Sequence, residues 1–389
     1  MFSESMMGLG KKSSIIREIF EYGKKRKAEI GAENVFDFSL GNPSIPAPKK
    51  FNEILTELVN SDNTVALHGY TSAPGSDEAR EAVSAYIKKT HGMDIPKNLI
   101  YMTCGAAAAL TITLNALCEA GDEIILLAPY FPEYKVFSEK AGFKVVEVLC
   151  KDDMQIDFDA LKNAITDKTK AIIVNSPNNP TGAVYPEEDI KLLSAILEEN
   201  NIYLIADEPY RELYYGDGSV PYIPNYYKNT IVCYSFSKSL SIPGERIGYI
   251  AVSPKMEKAA DLFAAVCGSG RALGFVCAPS ILQAAVARCI GLTSDIECYK
   301  ENRDLLYNSL KNIGYTCVHP DGAFYLFVKA PLGDASKFCE AAKREELLLV
   351  PSDDFGIKGF IRISYCVDKD MIKRSIPHFE KVYREYIGE

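Results

Sequence analysis

The sequence predicts an α/β protein with a large domain built on a doubly wound, mostly parallel seven-stranded sheet and a smaller α+β domain. The first observation is length, because 389 residues exceed what one ordinary hydrophobic core organises and so favour two or three domains. The second is that the middle of the chain repeats a short β-branched apolar run, a turn and a longer amphipathic stretch. The third is that most of these runs are apolar on consecutive positions, as in strands covered by helices on both faces.

The elements of the predicted sheet follow in chain order. The strands are expected at residues 99–103, 123–128, 144–149, 171–175, 202–206, 230–235 and 248–252. Helices are expected between several of them, at residues 107–119, 131–141 and 187–200. Because strands and helices alternate, the connections should be right-handed crossovers. The large domain is therefore predicted to span residues 50–280.

The two ends of the chain predict the smaller domain, formed by residues 1–49 together with 281–389. A helix is expected over residues 14–30, followed by an extended stretch that ends at Gly41-Asn42-Pro43. After residue 280 the pattern predicts one long helical stretch over 281–313 and a last helix that begins near Asp368. Strand-like runs lie between them at residues 323–329, 347–350 and 360–365.

Composition excludes several classes of function. With 43 basic against 52 acidic residues the net charge is −9, whereas a nucleic-acid binder needs a basic surplus. The four histidines are isolated in sequence, so neighbours cannot assemble a zinc-type cluster. The eleven cysteines form no C-x-x-C pair, and the N-terminus has no apolar core of signal-peptide length. We therefore expect a cytoplasmic protein with reduced thiols, no metal and no membrane segment.

Polar groups follow the predicted strands at the ends where ligands bind in an open parallel sheet. The segments are Cys104-Gly105-Ala106-Ala107, Pro129-Tyr130-Phe131, Ser-Pro-Asn-Asn-Pro-Thr-Gly at 176–182, Asp207-Glu208-Pro209-Tyr210, and Tyr-Ser-Phe-Ser-Lys at 234–238. Taken singly, each has an ordinary structural interpretation as a tight turn or a helix N-cap. Together they supply what pyridoxal phosphate needs: a lysine amine, a carboxylate for the pyridine nitrogen, donors to the phenolic oxygen and a phosphate cup.

The stretch Ser-Phe-Ser-Lys-Ser-Leu-Ser-Ile-Pro-Gly-Glu-Arg-Ile-Gly-Tyr at 235–249 is the most specific of these motifs. It resembles the cofactor-lysine motif of the class I/II aminotransferases of pyridoxal-phosphate fold type I, the aspartate aminotransferase superfamily. The resemblance extends from Gly41 to Arg362. It implies that Lys238 binds the cofactor covalently and moves the substrate proton. It also implies that Ser235, Ser237 and Arg246 hold the phosphate.

Two further motifs carry the same resemblance. In Pro-Asn-Asn-Pro-Thr-Gly at 177–182, Asn179 matches the residue that donates to the phenolic oxygen and helps orient the substrate carboxylate. In Asp207-Glu208-Pro209-Tyr210, Asp207 is implied to face the pyridine nitrogen and Tyr210 to donate to the phenolic oxygen. Two donors on that oxygen would stabilise its anionic form.

The resemblance also implies how the phosphate and the ring are held. The backbone amides of Gly105, Ala106 and Ala107 would surround the phosphate at a helix N-terminus. These positions carry no side-chain hydroxyl, so binding there must rest on backbone N–H groups. Phe131 matches the aromatic residue stacked on the pyridine ring, with Tyr130 as the alternative.

Tyr70 matches the tyrosine that reaches the phosphate of the neighbouring subunit, which implies a homodimer with shared active sites. The alternative is that Tyr70 packs only within its own subunit.

The implied substrate contacts are arginines and a glycine. Arg362, in Ile361-Arg362-Ile363-Ser364, matches the residue that grips the substrate α-carboxylate, and Gly41 would close over the same group. The alternative for Arg362 is a salt bridge on a strand. Arg271 lies 33 positions beyond Lys238, at a distance similar to that of the distal-carboxylate arginine of dicarboxylate-specific members. That role would favour aspartate or glutamate; the alternative is a surface arginine.

The predicted function is a pyridoxal-phosphate-dependent amino-acid aminotransferase that works by a ping-pong mechanism between an amino acid and a 2-oxo acid. The first alternative is a C–S β-lyase, which would share every cofactor residue. The second, non-enzymatic alternative is an effector-sensing domain on the same fold, disfavoured because the lysine and the carboxylate-binding arginine are both present. A dehydrogenase is excluded because no G-x-G-x-x-G follows the first strand.

Overall fold

The main sheet of the protein contains strands from the middle of the chain. The computed structural model describes residues 2–11 and 14–388, so Met1, Lys12, Ser13 and Glu389 of the predicted small domain lie outside the described residues. A short strand β1 (Phe36–Asp37) comes first in the chain. The main sheet then contains β2 (Ile100–Thr103), β3 (Glu123–Ala128), β4 (Lys144–Leu149), β5 (Thr169–Asn175), β6 (Tyr203–Asp207), β7 (Thr230–Ser235) and β8 (Gly248–Val252).

Among the described residues this sheet has seven strands in the order β2-β8-β7-β6-β5-β3-β4. Strands β4, β3, β5, β6 and β7 are mutually parallel, and β8 runs antiparallel to both β7 and β2. The predicted fold class is confirmed. The consecutive apolar positions have the expected cause, since β2, β3, β7 and β8 are buried along their whole length under helices.

The helices pack on this sheet and on a second core. They are α1 (Glu4–Lys11), α2 (Ile15–Ile30), α3 (Lys49–Val59), α4 (Thr64–His68), α5 (Asp77–His91), α6 (Ala106–Leu117), α7 (Glu133–Ala141), α8 (Phe158–Ala164), α9 (Glu187–Glu199), α10 (Phe236–Ser239), α11 (Ala259–Leu273), α12 (Ser280–Cys289), α13 (Ile296–Ile313), α14 (Ala335–Arg344) and α15 (Lys369–Ile387).

The single helical stretch predicted over residues 281–313 is wrong. Two helices, α12 and α13, occupy it and are separated by residues 290–295. Gly291 adopts a positive φ of 87° just after α12, a conformation that ends a helix and that glycine adopts without steric cost. The break does carry a local signal, since Gly291 is followed by Thr293, Ser294 and Asp295, and Asp295 is the N-cap of α13.

A second core lies beside the sheet and is built mainly from the C-terminal part of the chain. Its strands are β9 (Tyr325–Lys329), β10 (Leu347–Leu348), β11 (Val350–Pro351) and β12 (Phe360–Ser364). Within the described chain, β11, β12 and β9 form an antiparallel sheet, and β1 pairs in parallel with β10. The predicted run 347–350 is thus divided between two sheets. Large buried rings such as Phe38, Phe324 and Phe379 fill this core.

Most buried residues from the middle of the chain belong to the sheet core, and a few belong to the second core. The sheet core draws its buried residues from Phe51 to Cys289, whereas the second core also takes in Tyr210 and Leu213 from the turn that follows β6. Residues next to the end of β6 therefore join the two cores. The domain boundaries at residues 50 and 280 stay a prediction.

In the described part of the chain, no helix combines the length and apolarity needed to span a membrane.

Candidate active site

A cavity of about 270 Å³ opens at the carboxyl ends of the parallel strands of the main sheet. Its walls include Asn175 at the end of β5, Asp207 at the end of β6 and Ser235 at the end of β7. Parallel strands that end together bring side chains far apart in sequence to one rim. The segments that the sequence placed after these strands therefore meet in one cavity.

Lys238 lies on α10, the short helix that directly follows β7, and its side chain reaches into the cavity. Its Nζ donates a 2.8 Å hydrogen bond to the carbonyl oxygen of Gly41 and lies 5.3 Å from the centroid of the Phe324 ring. Burial, with the nearby Arg246 and Arg362 charges adding to it, lowers the pKa of Lys238 to about 8. An amine with this pKa gains and loses a proton near neutral pH.

Asp207 closes β6 and is 4% exposed. Its Oδ2 accepts a short hydrogen bond from the Tyr134 hydroxyl, whereas its Oδ1 has no partner among the described residues. Burial, together with the neighbouring Glu208 carboxylate, raises the pKa of Asp207 to about 7 against the opposing effect of the Tyr134 bond. A buried carboxylate oxygen that lacks a donor and faces a cavity suits a protonated ring nitrogen.

Asn175 links the ends of β5 and β6 and was not singled out by the sequence. Its Nδ2 donates a 2.9 Å hydrogen bond to the Asp207 carbonyl oxygen. Its Oδ1 accepts a 2.8 Å hydrogen bond from the backbone N–H of Asn179. Asn179 in turn accepts a 3.2 Å bond at Oδ1 from Arg362 Nη1. A chain of hydrogen bonds therefore leads from the Asp207 strand end to the Arg362 guanidinium.

Tyr210 follows β6 in the turn that joins the two cores, and its hydroxyl lies 3.0 Å from that of Tyr325 on β9. Both residues line the cavity. Burial raises the pKa of Tyr210 well above its ordinary value, so it stays protonated and can donate.

The opposite end of the cavity is an anion cradle. Arg246 Nη1 lies 3.5 Å from Ser237 Oγ, and Ser237 Oγ lies 2.8 Å from Ser235 Oγ. Gly105 has a φ of +81°, a backbone conformation that favours glycine, and a Cβ built on it would come within 2.7 Å of Arg246 Nη2. Ala106 and Ala107 begin α6 and line the cavity. Hydroxyls, a guanidinium and a helix N-terminus together fit a phosphate group.

Arg362 lies on β12, is 2% exposed and lines the cavity. In addition to its bond to Asn179, Arg362 donates a 2.6 Å hydrogen bond from Nη2 to the Ser39 carbonyl oxygen. Its Nε has no hydrogen-bond partner among the described residues. Its guanidinium carbon lies 4.6 Å from the Tyr325 ring and 5.2 Å from the Phe355 ring. Burial lowers the pKa of Arg362 from its ordinary high value. Its hydrogen-bond partners, Asn179 and the Ser39 carbonyl, are neutral, so within the described residues its charge has no carboxylate partner. The alternative of a surface salt bridge does not fit this burial.

Phe131 lines the cavity and meets the Tyr134 ring edge-on at 5.6 Å. Tyr130, the alternative to Phe131 as the ring-stacking residue, is not among the lining residues. Its hydroxyl donates a 2.6 Å hydrogen bond to Glu147. Gly41 also lines the cavity, and a Cβ built on it would overlap the Tyr325 hydroxyl.

Three residues of the predicted site do not line the cavity of their own chain. Gly105 is one of them, although it directly precedes the lining residues Ala106 and Ala107. Tyr70 is 99% exposed, and Arg271 is exposed near the end of α11. Their segments are neighbours, because Cys277 N donates 3.1 Å to the Ala73 carbonyl oxygen. Exposed apolar side chains lie within five residues of them in sequence, namely Val65, Leu273, Phe275 and Val276.

Several lining residues escaped the sequence analysis. Tyr325, Tyr134 and Ile16 come from segments without a motif, and packing alone brings them to the cavity, whereas Leu40 directly precedes the predicted Gly41. Asn175 did carry a signal, since it is the polar last residue of an otherwise apolar strand.

The chain is similar to known proteins in both sequence and structure. Residues 33–379 match the family model for aminotransferase class I and II. A probable aspartate aminotransferase of Methanocaldococcus jannaschii is 32% identical over 381 residues, covering 96% of this chain and 97% of that protein. An amino transferase structure from Eubacterium rectale is 56% identical, covers 99% of both chains and superposes with a TM-score of 0.96. The aspartate aminotransferase of Thermus thermophilus with maleate is 26% identical, with a TM-score of 0.86 over 98% of this chain and 99% of that one.

The family model alone spans most of the sequence, and both solved structures cover nearly the whole chain. The chain belongs to the class I and II aminotransferases, enzymes that use pyridoxal phosphate to move an amino group from an amino acid to a 2-oxo acid.

Proposed function

We propose that the cavity at the ends of β5, β6 and β7 binds pyridoxal phosphate and is the transamination site of this enzyme. The observation that carries this proposal is the unpartnered Oδ1 of Asp207, buried in the same cavity as the amine of Lys238 and the Arg246 cradle. When bound, the cofactor supplies an electron sink for the carbanion formed at the substrate Cα. Side chains of the protein itself bind the cofactor, transfer the proton and bind the substrate carboxylate.

The cofactor contacts divide by chemistry. Asp207 Oδ1 would accept a hydrogen bond from the pyridine nitrogen and keep that nitrogen protonated. Tyr210 and Asn179 would donate to the phenolic oxygen, and Phe131 would cover one face of the ring. The phosphate would be held by Arg246 and by the group of hydroxyls and amides at Ser235, Ser237, Gly105, Ala106 and Ala107.

Lys238 binds the cofactor covalently and serves as the base and acid at the substrate Cα. Its pKa of about 8 supports this, because the amine can take up and release a proton near neutral pH. Its hydrogen bond to the Gly41 carbonyl provides a resting partner for the amine inside the buried cavity.

Arg362 binds the substrate α-carboxylate. A buried guanidinium with no carboxylate partner and with a free Nε supports this role, since a planar fork pairs well with a carboxylate. Asn179 holds Arg362 through its Oδ1, and Gly41 leaves room for the carboxylate beside the Tyr325 hydroxyl.

The site assignment is tested by chemical trapping. Borohydride treatment of the holoenzyme should fix a pyridoxyl group on Lys238, read by peptide mass spectrometry. Lys238→Ala should trap none and lose turnover, whereas Lys162→Ala, an exposed lysine far from the sheet ends, should behave as wild type. A label on another lysine would contradict the assignment.

Product analysis with a panel of amino acids separates the alternatives. Amino-group transfer without pyruvate or ammonia release supports transamination, and their release from cysteine-type substrates supports the β-lyase. Bound ligand with no turnover at all supports the effector-sensing domain. Several relatives are named aspartate aminotransferase, so aspartate and glutamate belong in the donor panel.

We further propose a homodimer in which Tyr70 of the partner subunit completes the phosphate site. The 99% exposure of Tyr70 and the apolar side chains around it support a surface covered by a second copy. Mixed dimers test this: Tyr70→Ala and Lys238→Ala subunits, each poorly active alone, should recover about one quarter of wild-type activity on mixing. No recovery, with mixed dimers shown by mass spectrometry, would contradict shared sites.

A cytoplasmic location is also proposed. All eleven cysteines, which lie within the described residues, are free thiols, as expected in a reducing compartment. Localisation of the tagged full-length chain tests it.

A further inference from the structure

The turn that follows β6, residues 208–213, carries three charged side chains that do not line the cavity. They are Glu208, Arg211 and Glu212. Glu208 and Arg211 are buried and form an ion pair within the turn, in which Arg211 Nε donates a 2.6 Å hydrogen bond to Glu208 Oε2. Arg211 Nη1 also donates 3.1 Å to the Val220 carbonyl oxygen. This pair closes the turn on itself, and the carboxylate of Glu212 is not part of it.

Glu212 joins this turn to the helix of Lys238 through two hydroxyls. Tyr234, on β7, donates a 2.9 Å hydrogen bond to Glu212 Oε1. The oxygen of the same hydroxyl lies 3.0 Å from Ser239 Oγ, and Ser239 ends α10 directly after Lys238. A tyrosine hydroxyl carries one proton, so the Ser239 hydroxyl is the donor of the second bond. Hydrogen bonds therefore run from Ser239 through Tyr234 to Glu212, and these three residues are here called the Glu212 network.

Tyr234, the middle member of the network, is held at both its ring and its hydroxyl. Tyr234 and Ser239 are buried, and burial raises the pKa of Tyr234 well above its ordinary value, so its hydroxyl keeps the proton that it donates. The Tyr234 ring stacks on that of Tyr249 on β8, with the centroids 4.8 Å apart. Glu212 Oε1 also accepts a 3.2 Å hydrogen bond from the hydroxyl of Tyr86 on α5. The network therefore has a defined geometry on both sides of the Tyr234 hydroxyl.

The helix α10 has little internal support. It contains four residues, and a helix this short makes few backbone hydrogen bonds of its own. Leu240 N donates 3.1 Å to the Phe236 carbonyl oxygen, and Ser294 N donates 2.7 Å to the Ser239 carbonyl oxygen. The bond from Ser239 to Tyr234 spans the junction of β7 and α10. It is therefore among the contacts that fix the direction in which Lys238 projects.

The network links two groups of the proposed site, although Glu212, Tyr234 and Ser239 do not themselves line the cavity. At one end is the turn of Tyr210, the proposed donor to the phenolic oxygen, and at the other is the helix of Lys238, the proposed base at the substrate Cα. A displacement of about 1 Å at a reacting group can cost about a hundredfold in rate. A link between the two elements therefore acts on the reaction without touching a reactant.

We propose that Glu212 is a positioning residue for transamination, which through Tyr234 and Ser239 fixes the helix of Lys238 relative to the turn of Tyr210. The inference rests on the proposed function, since it uses the roles of Lys238 and Tyr210 given there. Breaking the network should slow proton transfer at the substrate Cα. It should leave binding of the substrate carboxylate unchanged, because the network does not include Arg362.

Tyr234→Phe tests the proposal with the smallest change. Loss of the hydroxyl should lower kcat about tenfold and leave KM for the amino acid and the cofactor content unchanged. An amino acid deuterated at Cα should show a larger isotope effect on kcat than with the wild type, because proton transfer then limits turnover more strongly. An unchanged kcat, or a lower kcat with no increase in the isotope effect, would overturn the proposal.

Tyr227→Phe is the matched control for this variant. Tyr227 is as deeply buried as Tyr234, and its hydroxyl donates to the backbone carbonyls of Leu197 and Ile202 rather than to a residue of the network. The control loses the same hydroxyl and should keep the wild-type kcat and isotope effect. Equal losses of kcat in the two variants would overturn the role of the network.

Variants of Glu212 test whether its hydrogen-bond acceptor is what matters. Glu212→Gln keeps an oxygen acceptor and should retain kcat within about threefold, whereas Glu212→Leu should lower kcat about tenfold. The double variant Glu212→Leu/Tyr234→Phe should be no slower than the slower single variant, because both changes break the same link. Equal losses in the two Glu212 variants, or additive losses in the double variant, would overturn the proposal. If Glu212→Leu does not fold, Ser239→Ala takes its place in the double variant with the same expectation.

Hydrogen exchange provides a measurement that needs no turnover. In the full chain without cofactor, the backbone amides of residues 236–241 should exchange about tenfold faster in Tyr234→Phe than in the wild type, and at the wild-type rate in Tyr227→Phe. Equal exchange of this segment in Tyr234→Phe and the wild type would overturn the proposal. Failure of the wild-type holoenzyme to transaminate any amino acid would instead contradict the proposed function. Normal transamination by both the wild type and Tyr234→Phe would overturn only the role of Glu212.

Discussion

The proposed active site has two halves that are built in different ways. The cofactor half consists of strand ends and the turns that directly follow them, with Ser235, Ser237, Lys238, Asp207 and Arg246 as its main members. The substrate half combines segments far apart in sequence, with Ile16, Gly41, Tyr325 and Arg362 as its members. Backbone hydrogen bonds of one sheet fix the first half, whereas side-chain packing around the second core fixes the second. Changes in the cofactor half should therefore alter kcat and spare KM. Changes in the substrate half should alter KM and leave the cofactor bound.

The largest effect is expected from Asp207→Ala. Removing the carboxylate from the cofactor half should lower kcat by about a thousandfold, since no other acidic group lines the cavity in the described chain. KM for the amino acid should change little, because Arg362 is untouched. Steady-state kinetics of the holoenzyme measure both values, with Asp217→Ala in an exposed loop as the control. A near-normal kcat would remove Asp207 from the mechanism.

The same carboxylate should give the protein without cofactor a pH-dependent stability. Burial raises the pKa of Asp207 from 3.8 to about 7, so between these values the folded chain binds a proton that the unfolded chain has released. The unfolding free energy should therefore fall as pH rises through this window, by about 2–4 kcal/mol relative to Asp207→Asn. Lys238 does not contribute there, because its pKa shift acts above pH 8. Urea denaturation from pH 4.5 to 7.5 measures the slopes, and parallel profiles would contradict the assignment.

The substrate half is probed by Arg362→Lys. The charge stays but the planar fork is lost, so KM for the amino acid should rise about a hundredfold while the cofactor stays bound. Titration of cofactor absorbance and steady-state kinetics separate the two effects. Arg344→Lys, on the exposed side of α14, should leave both unchanged. Loss of cofactor affinity in Arg362→Lys would show that the halves are not separable.

The smallest effect is expected from Tyr325→Phe, which removes only the hydroxyl between the two halves. Its bond to Tyr210 is worth about 1 kcal/mol, so kcat/KM should fall by at most about tenfold. Because Tyr325 acts through Tyr210 and Arg362, it is a positioning residue. The pH dependence of cofactor absorbance should shift together with KM. A change in KM alone would confine Tyr325 to the substrate half.

The sequence predicted the cofactor half well because its residues follow strands in short, contiguous motifs. The strands 123–128, 144–149, 230–235 and 248–252 have the predicted bounds, and the motifs sit where parallel strands end. The substrate half was predicted only where a motif existed, at Gly41 and Arg362. Ile16 and Tyr325 carry no local signal, because their positions depend on how two cores pack together. The roles of Tyr70 and Arg271 depend on a second chain, which no pattern within one chain describes.

Gly41 and Tyr325 have a consequence for how relatives of this enzyme can diverge. The two residues are 284 positions apart in sequence, yet any Cβ at position 41 would occupy the space of the Tyr325 hydroxyl. The residue at one position therefore limits which substitutions are possible at the other. A relative that replaces the glycine must first shrink the tyrosine, and would give up its bond to Tyr210. Across many homologues the two positions should covary, because these two members of the substrate half share one space beside the bond to Tyr210.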